Sequence, residues 1–271
     1  MALKKNEITL SLAVLMIVFL AWMSKGNLSN QSSVRDGVEM SVYGLDTIKR
    51  CLVRVDTSFR GLTVYYPATD SIVLRCFDIP TPDKDSSIIF CCAAAFTRYD
   101  KPHDNNHLYI AGDHVCSGER KQGYPCSNNT GAVVFYNGKW KFLLDRYSHE
   151  LDSAAQNNGS GFAQEMLIHE GKPIKTVRRL SQIGQYRALC QFNGELCVID
   201  ANEPQPFGEF INTILDAGVE EALYLDMGEW HYSWYRSSFA GDAIPIHPDW
   251  KASATNWLVF HKIEYLNNKS H

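Results

Sequence analysis

Asp226 and Glu229 stand three residues apart on either side of Gly228. Two carboxyl groups facing one pocket suit glycosidic cleavage: one donates a proton to the leaving oxygen, and the other acts as base or nucleophile. Asp226 is the candidate base or orienter of water, and Glu229 the candidate acid. A phosphate leaving group changes the requirement. It is already a weak base, so the proton donor matters less, and a cation must hold its negative oxygens. Arg187 and Arg236 are the candidates for that clamp, because a guanidinium binds phosphate oxygens bidentately. The plainer alternatives are Asp226 as a turn cap, Glu229 as a solvated turn residue, and each arginine as a surface charge or structural ion pair.

Trp230, His231, Tyr232, Trp234 and Tyr235 follow directly. Rigid aromatic rings can cover the apolar faces of a sugar while polar edges orient it. The same residue types serve equally in core or sheet packing. A second constellation, His103, Asp104, His107, Asp113 and His114, lies in the long polar stretch from Tyr99 to Ser127. Imidazole and carboxylate suit a divalent ion. However, His103 and His107 lie on no apparent helix and lack the metalloprotease geometry. The cofactor expectation is therefore none or a divalent metal ion. In the alternative, His107 hydrogen-bonds a polar ligand or the loop itself, and Asp113–His114 acts as an oriented acid–base pair. Phosphate-loop, dinucleotide, kinase and serine-hydrolase motifs are absent from the sequence.

These groups need rigid elements behind them. Strand signals, rich in β-branched and aromatic residues, run over Cys51–Val55, Leu62–Tyr66, Ile72–Cys76 and Ile88–Cys92. Asn137-Gly138 and Asn193-Gly194 each predict a two-residue hairpin turn. The first joins Gly131–Tyr136 to Lys139–Leu144, and the second joins Arg187–Phe192 to Glu195–Ile199. Phe207, Phe210, Ile211, Ile214 and Leu215 follow a helical period, with Pro206 at the start and Gly218 at the end. The short run Ala222–Leu225 then delivers Asp226 at its end, a rigid way to hold a functional carboxylate.

The 271 residues are 45% hydrophobic and carry a net charge of −4, which excludes global disorder and a broadly basic nucleic-acid surface. Lys4 and Lys5 precede an uncharged, largely apolar stretch from Ile8 to Ser24. Residues 1–24 read as a signal peptide or an uncleaved membrane tether, and residues 25–39 as a linker. The expected location is therefore periplasmic, membrane-anchored or extracellular. The alternative is a buried helix of the domain. Export bears on the eight cysteines. Cys116 and Cys126 bracket a short loop, and Cys190 and Cys197 fall opposite each other across the Asn193-Gly194 turn. Both pairs are candidate disulfides.

From Arg187 to Asp226 the sequence resembles the phosphodiester glycosidase family, of the uncovering-enzyme type. That family has an Arg-led strand, a Gly turn, a second strand, a helix ending in Gly, and an Ala-x-x-Leu-Asp-Gly-Gly-Gly-Ser motif. Here the motif reads Ala222-Leu-Tyr-Leu-Asp226-Met227-Gly228-Glu229-Trp230. Asp226, Gly228 and the leading Arg187 match, whereas Met227, Glu229 and Trp230 differ. Upstream, Met166–Lys172 resembles an apolar segment ending in Gly-Lys, with Gln164-Glu165 in place of the family's Gly-Pro. Phe90–Phe96 resembles its early strand and Asn-x-x-Phe turn, with Ala93 in place of Asn. The phrase Leu225–Arg236 is similar to a divergent form in secreted Bacteroidetes proteins. The resemblance covers about 180 residues.

It implies one α+β domain over residues 40–265, built mainly from mixed or antiparallel sheet with a few helices. It also implies a hydrolase of a glycosyl phosphodiester or related sugar-phosphate linkage, and hence a carbohydrate or sugar-phosphate ligand. Two rivals stand beside it. One is a non-catalytic carbohydrate-binding or envelope protein on the same scaffold. The other is a metal-dependent hydrolase using the 103–114 loop.

Overall fold

The Asn193-Gly194 turn organises the centre of the fold. Both residues have positive φ, 52° and 74°, a combination that Asn-Gly accepts readily. The turn sets strand Arg187–Phe192 against Glu195–Ala201 with Cys190 opposite Cys197, as the sequence predicts. Around this hairpin a seven-stranded sheet assembles in the order Val53–Asp56, Leu62–Pro67, Glu195–Ala201, Arg187–Phe192, Glu221–Leu225, Met166–His169 and Lys172–Pro173. The computed structural model describes residues 51–99, 108–227, 232–238, 241–247 and 254–263. All of them fall in one unit, Thr47–His271.

A second sheet has the order Lys139–Leu143, Gly131–Tyr136, Ser160–Gln164, His114–Cys116 and Glu119–Lys121. A third has the order Ile244–Pro245, Ser233–Tyr235, Ile88–Ala93, Asn256–His261 and Ser71–Cys76. The pairings within all three sheets are antiparallel. Helix α1 spans Glu150–Gln156 and helix α2 spans Phe207–Asp216. The domain is thus α+β, dominated by antiparallel sheet.

Alternation along the strands divides the core. Leu189, Val198, Leu223 and Leu225 join Phe90, Phe162 and Phe260 in one cluster shared by the three sheets. Their sequence neighbours Ala188, Cys190, Cys197, Ile199 and Tyr224 pack instead with Phe207, Phe210, Ile211 and Ile214 of α2. Burying those four α2 side chains contributes about 1.5–3 kcal/mol each. The helix ends as its sequence requires: Pro206 is extended at the N-cap, and Gly218 just past the C-cap takes φ +96°.

Three expectations need correction. The stretch Tyr99–Ser127 is not one irregular loop. Its described part contains strands Leu108–Ile110, His114–Cys116 and Glu119–Lys121. Cys116 is bonded to Cys76 rather than Cys126. The bond ties the second sheet to the last residue of Ser71–Cys76 in the third, and Cys126 keeps a free thiol. Cys190 and Cys197 are also free thiols. They occupy a hydrogen-bonded position of the ladder, where facing side chains stand farther apart than at the alternate position. Burial in the α2 cluster pushes both thiols up. The leader and linker, residues 1–39, lie outside the described residues.

Candidate functional site

Asp226 sits where strand Glu221–Leu225 ends. Its backbone N–H donates to the Ala94 carbonyl at 2.9 Å, and its Oδ2 accepts from the Thr97 N–H at 3.1 Å. The Ala94–Thr97 turn is itself fixed by buried Asn256. The Asn256 Oδ1 accepts from the Ala95 N–H at 2.7 Å, and its Nδ2 donates to the Ala95 carbonyl at 3.0 Å. The Thr97 and Thr255 hydroxyls complete the clamp at 3.0 Å. Strand, turn and amide therefore hold the carboxylate rigidly, and it is 5% exposed.

Beside it lies a charged, aromatic cluster. The chain crosses from the second sheet to the first at Glu165, between strands Ser160–Gln164 and Met166–His169. Glu165 is fully buried, and its Oε2 accepts from Arg178 Nε at 2.6 Å. Its other oxygen accepts from the Thr176 hydroxyl. The Arg178 guanidinium stacks 4.3 Å from the Tyr224 ring centre, 4.9 Å from Phe96 and 5.3 Å from Phe207. Such cation–ring contacts strengthen as water is excluded. Burial pulls the Arg178 pKa down, but Tyr224 and Glu165 outweigh it and the net direction is up. Tyr224 is also raised, first by burial, and it feels the charges of Arg178 and Asp226.

A cleft of about 350 Å3 opens here, lined by Phe96, Thr97, Arg98, Arg178, Asn128 and Gln182 among others. Arg98 rests 4.5 Å from the Tyr124 ring centre. No ion pair joins it to a carboxylate among the described residues. The cleft is thus a polar pocket with two guanidinium groups next to a rigid carboxylate: Arg178 is paired with Glu165, and Arg98 has no carboxylate partner among the described residues. That arrangement can hold an anion and can orient a water.

Several candidates go elsewhere. Arg187 faces Leu225 across the ladder, so neighbouring Asp226 points to the other face of the sheet. Its guanidinium is fully buried against Asp200. Nε pairs with Oδ1, and Nη2 donates to Oδ2 at 2.8 Å and to the Ser233 hydroxyl at 2.9 Å. His247 Nε2 stands 3.3 Å from the same carboxylate. Arg187 is a structural ion pair and not an open phosphate clamp. Arg236 donates to the Pro82 carbonyl at 2.6 Å and the Gly241 carbonyl at 3.1 Å, so it too serves the fold.

Tyr232 and Trp234 are core residues. Each is 2% exposed, and each donates to the Pro80 carbonyl. They pack with Ile88, Cys91 and Trp257 on the outer face of the third sheet and offer no sugar platform. Asp113 and His114 do not form an oriented pair. Adjacent on the chain, they bond apart: Asp113 accepts from Arg120 at 2.9 Å, and His114 Nδ1 is 3.1 Å from the Gly112 carbonyl. A carbonyl only accepts, so Nδ1 carries the hydrogen. Burial lowers the His114 pKa. Glu229, Trp230, His231, His103, Asp104 and His107 lie outside the described residues. Among the described residues, no three His, Cys, Asp or Glu side chains gather as a metal site.

Sequence reading missed Glu165, Arg178, Arg98 and Tyr224. One signal was available: Glu165 is the one charged residue in the mostly apolar run Phe162–Ile168, and a buried charge requires a partner.

No family model matches the chain, and no curated protein does. Among solved structures it is similar to the catalytic domain of zebrafish N-acetylglucosamine-1-phosphodiester alpha-N-acetylglucosaminidase, auto-inhibited by its pro-peptide. The TM-score is 0.52 at 12% identity, over 78% of this chain and 82% of that one. At this identity the likeness is one of fold. A hypothetical protein from Synechocystis aligns with a TM-score of 0.45 at 13% identity, over 78% of this chain and 61% of that one, too loosely to carry an argument.

Proposed function

We propose that this protein hydrolyses a glycosyl phosphodiester or a related sugar-phosphate linkage. The observation that carries the reading is Asp226, fixed at a strand end beside a cleft that presents Arg98 and Arg178. The shared fold with a phosphodiester-cleaving glycosidase supports it. In this reading the two arginines receive the phosphate, and Asp226 orients a water toward the anomeric carbon. The water oxygen bonds to that carbon, its proton passes to Asp226, and the phosphate departs with the electron pair of the broken C–O bond. Because the departing phosphate is a weak base, no strong proton donor is needed at the leaving oxygen.

The test is release of free sugar from a panel of synthetic glycosyl phosphodiesters by the full chain. Turnover by wild type and its loss in Asp226→Asn is the expected result. No release across the panel rejects the reading. One observation favours a non-catalytic sugar-phosphate-binding role instead: Asp226 is 5% exposed and is not itself among the residues lining the cleft. Saturable binding of a sugar 1-phosphate without turnover identifies that alternative.

A further inference from the structure

The segment 171–185 has a composition unlike the rest of this acidic chain. It contains four basic residues, Lys172, Lys175, Arg178 and Arg179, and no acidic one, against a net charge of −4 overall. Arg178 turns inward to Glu165, whereas Lys172, Lys175 and Arg179 are exposed. Between and beyond them stand Val177, Leu180 and Ile183, which are 65%, 55% and 70% exposed. Three uncovered aliphatic side chains within seven residues are an unfavourable way to finish a loop. Exposed apolar patches rimmed by polar groups mark protein or membrane interaction sites.

The segment is also held in place. The Leu180 carbonyl accepts from the Gly208 N–H at 2.8 Å, and the Gln182 carbonyl accepts from the Phe207 N–H at 2.9 Å. The Tyr186 hydroxyl donates to the same Gln182 carbonyl at 2.6 Å. The backbone is thus pinned on the first turn of α2 while its aliphatic side chains remain uncovered.

We propose that segment 171–185 docks on the surface of an anionic lipid bilayer, with Val177, Leu180 and Ile183 entering the headgroup boundary and Lys172, Lys175 and Arg179 meeting lipid phosphates. Exposed aliphatic groups interleaved with cations, without acids, are the composition that such a surface recognises. The apolar stretch Ile8–Ser24 behind Lys4 and Lys5 would bring the domain to the same surface. Arg178 and Gln182 of this segment line the cleft, so docking places the cleft mouth at headgroup level. Under the hydrolase reading, on which only this last point rests, the substrate is a glycosyl phosphate carried by a membrane lipid.

The test is hydrogen–deuterium exchange of the full chain. It is measured free, on phosphatidylcholine vesicles, and on vesicles that also contain phosphatidylglycerol. The expected result is slowed exchange over 171–185 on the anionic vesicles alone. Lys175→Gln with Arg179→Gln should weaken that protection about thirty-fold, from about fivefold per basic side chain near an anionic surface, and Val177→Ser with Ile183→Ser should abolish it. Neither pair touches the cleft, so release of sugar from a soluble substrate should not change. Unchanged exchange over 171–185 on anionic vesicles overturns the proposal, as does protection that survives both double variants. Either outcome leaves the hydrolase assay to stand or fall by itself.

Discussion

Replacing Arg187 tests whether this arginine belongs to the fold or to the chemistry. Its guanidinium and the Asp200 carboxylate are both buried between the first and third sheets, 0% and 2% exposed. Arg187→Met keeps most of the side-chain volume but leaves Asp200 buried without its guanidinium partner, beside the His247 ring. Removing one partner of a buried ion pair costs about 3–5 kcal/mol. For a domain of this size that corresponds to a fall in melting temperature of roughly 6–20 °C. The partner variant Asp200→Asn should cost a similar amount, since it strands the arginine. The double variant should be more stable than the sum of the two losses by roughly 2–3 kcal/mol. The same pair sets an acid limit. Burial raises the Asp200 pKa, but Arg187 overcomes it and the net direction is down. A carboxylate with a depressed folded pKa contributes stability above its unfolded value, near 3.8, and that contribution is lost as pH falls through the folded value. Urea titrations of the four proteins at neutral and acid pH measure both effects. A loss below about 1 kcal/mol for Arg187→Met, or strict additivity in the double variant, refutes the buried pair. Full stability with abolished turnover would return Arg187 to the active site.

Other outcomes follow from the same geometry. Asp226→Asn retains an oxygen for the Thr97 N–H, so the fold should survive while turnover falls about 10²–10⁴-fold, as read by paired melting and product-release assays. Arg98→Gln should raise KM about 10–100-fold, the weight of a charge-assisted contact of about 1.5–3 kcal/mol, with little change in melting temperature. Cys76→Ser should cost about 4 kcal/mol, because the bond to Cys116 closes a separation of 40 residues; denaturant midpoints with and without reductant check this. Burial lowers the pKa values of His114 and His261. Both therefore support stability above the unfolded histidine value of about 6.5, and that support is lost as pH falls through their folded values. His114→Gln should flatten the melting profile as pH falls below about 6.5.

The elements that hold the site were legible in the sequence because each carries a local signal. Asn193-Gly194 specifies its turn with no outside help. Phe207, Phe210, Ile211 and Ile214 repeat with the helical period and bury one face. Ala222–Leu225 is apolar because both faces of its sheet are covered. Helix α1 was missed because Glu150–Gln156 is short and buries only Leu151 and Ala154, too little to make a period. The Cys76–Cys116 bond joins two sheets, and nothing local at either cysteine names the other. The site itself was half legible. The expected position of Asp226 at the end of a strand is the one the structure has, while its role in chemistry belongs to the proposal. For Arg187 the sequence left a phosphate clamp and a structural ion pair both open, because charge type alone does not tell which face of a sheet a side chain takes; the structure has the ion pair. Its neighbour across the ladder, Leu225, shows that it turns away from Asp226. Arg178 and Glu165 lie 13 residues apart and meet only because the chain changes sheets at Glu165, which no spacing rule reports.

The most direct measurement is a crystal structure of the full chain with a bound sugar 1-phosphate. The account predicts the phosphate between Arg98 and Arg178, with the anomeric carbon toward Asp226. A phosphate bound instead in the groove of about 610 Å3 near Gly194, lined by Arg54 and Trp140 at the far end of the same hairpin, would contradict it.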